Sequence, residues 1–324
     1  VSTTSTTGSE RRRAVTVLPE GEGANALGIA FGLLGDEWTL LLLRHSVLGA
    51  KRYSDFSAAL PISYAVLTAR LDLLVREQLM EKVVYQQHPV RAEYVLTEKG
   101  RGVWPILAAI WGWERRWVPE HTYDTPPMRH RVCGAEFTPR YSCRACGEAV
   151  TAHDLVATWG PSGGWQRSTP ESRTRRRSQS RERAAKAFYP DTMAVFGNRW
   201  SSAVVGAAFM GVSRFTDFQS LLGAPPSLLA DRLASLCERE ILHQVKLADR
   251  PDWAEYKLTP KGIDFFPVIG VTLEWAESWY RAEEGPVLRW KHRACRQEFH
   301  GVLTCDQCTQ PLTGHEIQLE PAAD

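Results

Sequence analysis

Long apolar runs are missing from this chain. Nothing approaches the roughly 18 uninterrupted apolar residues read as a membrane-spanning helix. Strong charge of one sign is missing too: Lys+Arg 39 against Asp+Glu 37 leaves a net charge of +2, which selects no partner by itself. A secretory leader is not read either. The apolar stretch ALGIAFGLLG at 26–35 is separated from Arg11, Arg12 and Arg13 by PEGEG at 19–23, and no A-x-A pattern follows. These absences predict a cytoplasmic protein with reduced cysteines, to be read as ligands before disulfides. No nucleophile–base constellation or catalytic metal motif stands out, so no enzyme is expected. Gly21-x-Gly23-x-x-Ala26 after AVTVL imitates a dinucleotide fingerprint, but no βαβ unit with a following acid accompanies it.

What is present is a duplication. A gapless shift of 162 residues superposes Gly35 on Gly197, Trp38 on Trp200, Gly49 on Gly211, Arg52 on Arg214, Phe56 on Phe218 and Arg70 on Arg232. It carries AEY at 92–94 onto 254–256, Trp113 and Trp117 onto Trp275 and Trp279, and His130, Cys133, Cys143 and Cys146 onto His292, Cys295, Cys305 and Cys308. A period this long means two whole domains in tandem. The expected organisation is a flexible basic arm at 1–24, a domain at 25–120 with a small ribbon at 121–158, an Arg/Ser-rich linker at 159–186, then a second domain at 187–284 with its ribbon at 285–324. The arginines between 173 and 183 read either as a nucleic-acid arm or as a solvated linker.

Within the first copy, 25–47 has helical spacing interrupted near Gly35. Ser54 can cap a short helix to Leu60, and Ser63 a longer one to about Gln78. Residues 81–86 and 91–96 alternate around a turn holding His88 and Pro89, a hairpin signal. Thr97 can cap a last helix kinked near Pro105. The fold class expected is α+β, mainly helical: two winged helix-turn-helix domains, each followed by its own zinc ribbon. In that architecture the helix from Ser63 reads the major groove and the hairpin is the wing.

These residues resemble the HxlR family of bacterial winged-helix regulators. The carrying features are the Gly35–Trp38 segment, the Gly49/Arg52/Phe56 pattern, LT-x-RL at 67–71, and Pro89 before EY-x-LT-x-x-G. The resemblance spans roughly 25–118 and, more loosely, 187–280. It implies a sequence-specific regulator of transcription that binds double-stranded operator DNA as a two-winged unit, usually a homodimer. The duplication could make that unit an intrachain pseudo-dimer. Family members that sense electrophiles use a cysteine just before the first core helix; Asn25, Ala26 and Ala187 stand there instead, so thiol sensing of that kind is not expected.

The candidate DNA-binding residues are Lys51, Arg52, Ser63, Tyr64, Thr68, Arg70 and the wing Arg91, with Arg214, Ser227 and Arg232 in the second copy. Each has a plainer reading: Ser63 as a cap, Thr68 as a solvent-exposed residue, Arg70 in an ion pair. Trp253 stands where the first copy has Arg91, and the second reading helix is poorer in polar residues, so its DNA role is expected to be weaker.

The sharpest chemistry is His130-x2-Cys133-x9-Cys143-x2-Cys146 and its repeat His292-x2-Cys295-x9-Cys305-x2-Cys308. Zinc takes four tetrahedral nitrogen or sulfur ligands, and two x2 pairs supply two tight turns. Two structural zinc ions per chain, one per ribbon, are expected; disulfides, buried thiols and a metal-free ribbon are the competing readings. His153 and His315 are alternative fourth ligands. Gly134 and Gly147 follow ligand cysteines, where the second copy has Arg296 and Thr309, so its turns are expected to be looser. The tryptophans of the last helices read as core or dimer interface, or else as a pocket for a small aromatic effector. Two other functions stay open: a protein-interaction module with degenerate wings, and a small-molecule carrier.

Overall fold

The computed structural model describes residues 15–118, 127–169, 189–247 and 250–319. Both arginine clusters lie outside them. Each copy opens with two short helices. In the first these are α1 (Ala26–Leu34) and α2 (Glu37–Val47), capped by the side chains of Asn25 and Asp36. The helix-turn-helix pair follows as α3 (Tyr53–Ala59) and α4 (Tyr64–Arg76). β2 (Met80–Gln87) and β3 (Val90–Leu96) form the wing, antiparallel, around the cis His88–Pro89 bond. Two expectations shift slightly. Ser63 occupies the N-cap position of α4 without a side-chain cap bond, and α3 begins at Tyr53, where the Asp55 carboxylate accepts the Arg52 backbone N–H at 2.8 Å. The final helix is not kinked at Pro105 but divided, into α5 (Glu98–Arg101) and α6 (Trp104–Trp117), because Pro105 fits the first turn of a new helix.

The second copy repeats this with α8 (Pro190–Phe196), α9 (Arg199–Phe209), α10 (Phe215–Leu222), α11 (Pro226–Glu238), β8 (Leu242–Leu247), β9 (Arg250–Leu258), α12 (Pro260–Ile263) and α13 (Phe266–Trp279). The wing strands pair at equivalent registers, Lys82 with Tyr94 and Gln244 with Tyr256. Among the described residues no single helix is long and apolar enough to cross a membrane.

The two copies share one core. α1 packs on α13, and α6 on both α8 and α13. Phe31 meets Phe196 edge-on at 4.9 Å, and Trp113 meets Phe265 likewise at 4.9 Å. Trp113 donates its indole N–H to the Lys261 carbonyl at 3.0 Å, and its repeat Trp275 donates to the Lys99 carbonyl at 3.1 Å. The aromatic last helices are therefore chiefly core and inter-copy interface. The symmetry is imperfect at one buried pair: Glu114 accepts from the Thr192 backbone and hydroxyl, at 3.0 and 2.5 Å, where the other side has Ala276 and Ala30.

Segments expected to be loose are built in. Thr16–Leu18 (β1) lies parallel to Tyr280–Ala282 (β10), with Leu18 buried. Of the supposed linker, residues 159–169 are ordered: Trp165–Ser168 forms the short helix α7, and Asn25 donates to the Ser162 carbonyl and the Ser168 hydroxyl. Trp159 and Trp165 stack edge-on at 5.0 Å. Aromatic burial overrides the Gly/Ser/Pro composition that suggested flexibility.

Candidate functional site

The ribbons overturn the expectation of one self-contained zinc site per copy. Most of their sheet pairing runs between copies. β6 (Pro139–Cys143) pairs with β12 (Gly301–Cys305), β7 (Leu155–Trp159) with β11 (Leu288–His292), and β4 (Met128–His130) with β13 (Ile317–Leu319); β4 also pairs β5 (Glu136–Phe137) of its own copy. Two equivalent clusters result: His130 and Cys133 with Cys305 and Cys308, and Cys143 and Cys146 with His292 and Cys295. The reason is strand geometry. β6 is extended, so Cys143 lies about 14 Å along it from Pro139. Antiparallel pairing sets Cys305 opposite Pro139 instead, beside the turn that carries His130 and Cys133. The x2 pairs are as expected; their partners are in the other copy.

Each cluster's four donor atoms lie within 4.8 Å of one another. Cys133 Sγ stands 3.9 Å from Cys305 Sγ, and Cys143 Sγ 4.0 Å from Cys295 Sγ. His130 Nδ1 is 3.5 and 3.3 Å from Cys133 and Cys308; His292 Nδ1 is 3.4 and 3.3 Å from Cys146 and Cys295. Zinc–sulfur bonds of about 2.3 Å in a tetrahedron put sulfurs about 3.8 Å apart, so three thiolates and one imidazole fit zinc here. His153 and His315 belong to neither cluster. All four knuckles share one backbone form. Gly134 and Gly147 have φ of 73° and 79°, and Arg296 and Thr309 take the same left-handed region at 61° each. The second copy's turns are thus strained rather than looser. Within one cluster the Ala135 backbone N–H holds the Cys133 thiol below its ordinary range, while burial pushes Cys305 up to about 11.

The helix-turn-helix faces are the other candidate surface. On α4 the exposed positions are Tyr64, Ala65, Ala69, Asp72 and Arg76, one helical stripe. Tyr64 is 76% exposed and stacks on Tyr53, centroids 5.3 Å apart. Lys51, Ser63 and the wing Arg91 are also exposed. Arg52 is exposed as well, but its Nε donates to Glu93 at 3.2 Å, tying α3 to the wing; Arg214 and Glu255 repeat the pair at 3.7 Å. Two expected readers turn inward. The Thr68 hydroxyl is covered by protein, and Arg70 makes a two-pronged ion pair with Asp36, both bonds 2.8 Å.

In the second copy the matching stripe on α11 is Pro226, Ser227, Ala230, Asp231, Ala234 and Glu238. It has no cation and two carboxylates. Asn198 replaces Asp36, its side chain caps α9, and the Arg232 Nε is buried without a hydrogen-bond partner. The Trp253 side chain lies outside the described set. Asn25, at the neighbourhood of the absent sensor thiol, is a fully buried cap. Cys237, half-buried on α11, has its thiol pushed up by burial, the opposite of a reactive cysteine.

Comparison with known proteins agrees with this geometry. Residues 33–122 and 195–284 both match the HxlR-like helix-turn-helix family. An uncharacterized HTH-type transcriptional regulator of Mycobacterium tuberculosis is 35% identical over 142 residues, covering 44% of this chain and 88% of that protein. The HTH-type transcriptional regulator YodB of Bacillus subtilis is 33% identical over 85 residues, covering 26% of this chain and 76% of that protein. With two matched segments that together span more than half of its length, the chain belongs to the HxlR-like helix-turn-helix family.

Proposed function

We propose that this chain is a sequence-specific DNA-binding transcriptional regulator, not an enzyme, in which one polypeptide supplies both winged units that relatives would provide as two subunits. The observation that carries this reading is the reciprocal packing of the copies: Trp113 on Lys261, and Trp275 on Lys99. Such packing fixes the spacing of two reading helices, which sets half-site separation on the duplex.

The first copy does most of the reading. Tyr64 and Arg76 on α4 face the groove, with Ser63 and Ala65 at its entrance. Lys51, Arg52 and Arg91 contact phosphates. Thr68, Arg70 and Arg232 hold the fold instead. Ser227 and Arg214 keep a secondary role, because Asp231 and Glu238 repel the DNA backbone. Zinc at the two crossed clusters supplies structural cross-links between the copies: His130, Cys133, Cys305 and Cys308 hold one ion, and Cys143, Cys146, His292 and Cys295 the other.

The test is a gel shift with the DNA upstream of the protein's own gene, across a salt series. A shift that weakens steeply with salt supports the reading. No shift at low salt would favour a protein-interaction module.

A further inference from the structure

One half of the molecule carries a cavity lined by six aromatic side chains. Where α1, α9 and α13 meet the β7–β11 ribbon, a cavity of about 410 Å3 opens between the copies. Six aromatic rings stand in its wall: Phe31 from α1, Phe209 from α9, Phe266 from α13, Trp165 from α7, and Trp159 and Trp290 from the ribbon strands. The volume falls in the range of small-molecule sites, about 300–1,000 Å3.

The other half of the molecule shows why the space exists. The repeat shift pairs Ser202, Ala203 and Gly206 with Leu40, Leu41 and Arg44. On that side Arg44 occupies the equivalent position, its guanidinium 4.8 Å from the Trp111 ring and 5.8 Å from the Tyr189 ring. Tyr189 in turn replaces Leu27 of the open side. One half is plugged by a cation between two rings; in the other, Gly206 removes the cation, Leu27 and Leu273 stand in place of its two rings, and Phe31, Phe209 and Trp290 line the space where the plugged half has Met193, Val47 and Met128. At Gly206 an added Cβ would meet only Trp165, at 3.5 Å, so the glycine is not demanded by close packing.

The geometry points to a binding site for a flat, apolar compound of fused aromatic rings, held face-to-edge among these side chains as the rings hold one another. A polar or multiply charged ligand has little to meet: the Ser168, Thr169 and Ser202 hydroxyls are hydrogen-bonded within the protein, and Arg293, the one charged residue in the lining, sits exposed at the ribbon turn. The site stands on cavity chemistry alone. As an effector site it would deepen the regulatory reading, since its walls come from both copies and a ligand there bears on how the two reading helices are held.

Binding is therefore measured first without DNA, with 2-naphthol as the probe, by quenching of tryptophan fluorescence and by calorimetry. Saturable binding of one molecule per chain is expected. Gly206→Arg, which restores the plug of the other half, should weaken it at least about tenfold, while Arg44→Gly leaves the affinity at this site in place. Ser202→Leu adds a smaller obstruction and serves as the deciding variant if Gly206→Arg does not fold. No saturable binding to the wild-type chain, or unchanged affinity in a folded plugged variant, would overturn the site. The operator shift of the same variants is scored separately, so a lost ligand site with intact DNA binding leaves the DNA reading standing.

Discussion

Tyr141 faces Leu303 across the β6–β12 ladder, and these two residues are repeats of one another in the duplicated sequence. The register is centred on them: Ser142 lies opposite Val302 and Arg140 opposite Thr304, each a repeat of the other's neighbour. A strand pairing with its own repeat in this way marks an axis of approximate twofold symmetry through one polypeptide. The Ser142 and Thr304 hydroxyls, also repeats, meet 2.8 Å apart beside it.

Tyr141 itself is a test of packing at that axis. Its ring fills the notch left by Gly270 and Gly301, and its hydroxyl is buried with no hydrogen-bond partner. Burial pushes its ionisation well above the ordinary tyrosine range. Tyr141→Phe should raise stability by about 1 kcal/mol, because it deletes an unpaired buried hydroxyl while keeping the ring. Gly301→Ala should cost about 1–3 kcal/mol, since its methyl group would enter the ring. Denaturant midpoints of the two variants check both signs.

Metal content distinguishes crossed from self-contained sites. Two zinc ions per chain are expected for the wild type. Cys133→Ser and Cys305→Ser disable the same cluster, so the double variant should still hold one ion. Cys133→Ser combined with Cys143→Ser disables both clusters and should hold none. Self-contained ribbons would give the reverse pattern. Chelation, or acid that protonates the thiolates, should release zinc and loosen the copies together.

The Asp36–Arg70 pair is only about a quarter exposed, at 28% and 22%. Asp36 also accepts the Thr39 backbone N–H as the cap of α2. Asp36→Asn keeps a cap and loses the ion pair, reproducing Asn198 of the second copy. It should cost about 1–3 kcal/mol, partway between an exposed and a buried pair, and Asp36→Ala more by about 1 kcal/mol for the lost cap. Thermal unfolding checks the order.

DNA affinity should be asymmetric between the copies. Tyr64→Ala should relax preference at particular base pairs by roughly 1–3 kcal/mol. Arg91→Ala should weaken all sequences alike and lower the salt slope by about one. Ser227→Ala should do little. Glu238→Arg, which copies Arg76 into the second helix, should tighten binding and raise the slope by about one. Isotherms at several salt concentrations give both quantities.

Much of this was legible in the sequence. Helical spacing, Thr97 as a cap, the hairpin around Pro89 and the x2 ligand pairs are local patterns, and local patterns survive folding. The crossing of the ribbons was not legible. Each x2 pair is the same short motif, and which pair joins which is decided by β6 pairing with β12, a contact between residues far apart in sequence. Arg70 likewise reads as a DNA contact or as half of an ion pair, and only the fold brings Asp36 to it and decides for the pair. Trp159 and Trp165 were the overlooked signal in the supposed linker: two tryptophans are costly to leave in water.

The most direct measurement of the single-chain account is stoichiometry on DNA. Sedimentation of the chain with a duplex carrying its footprinted operator should give one chain per duplex, protecting two adjacent half-sites centred about one helical turn apart. Two chains per duplex, or protection of a single half-site by one chain, would contradict the claim that both winged units of one polypeptide act together.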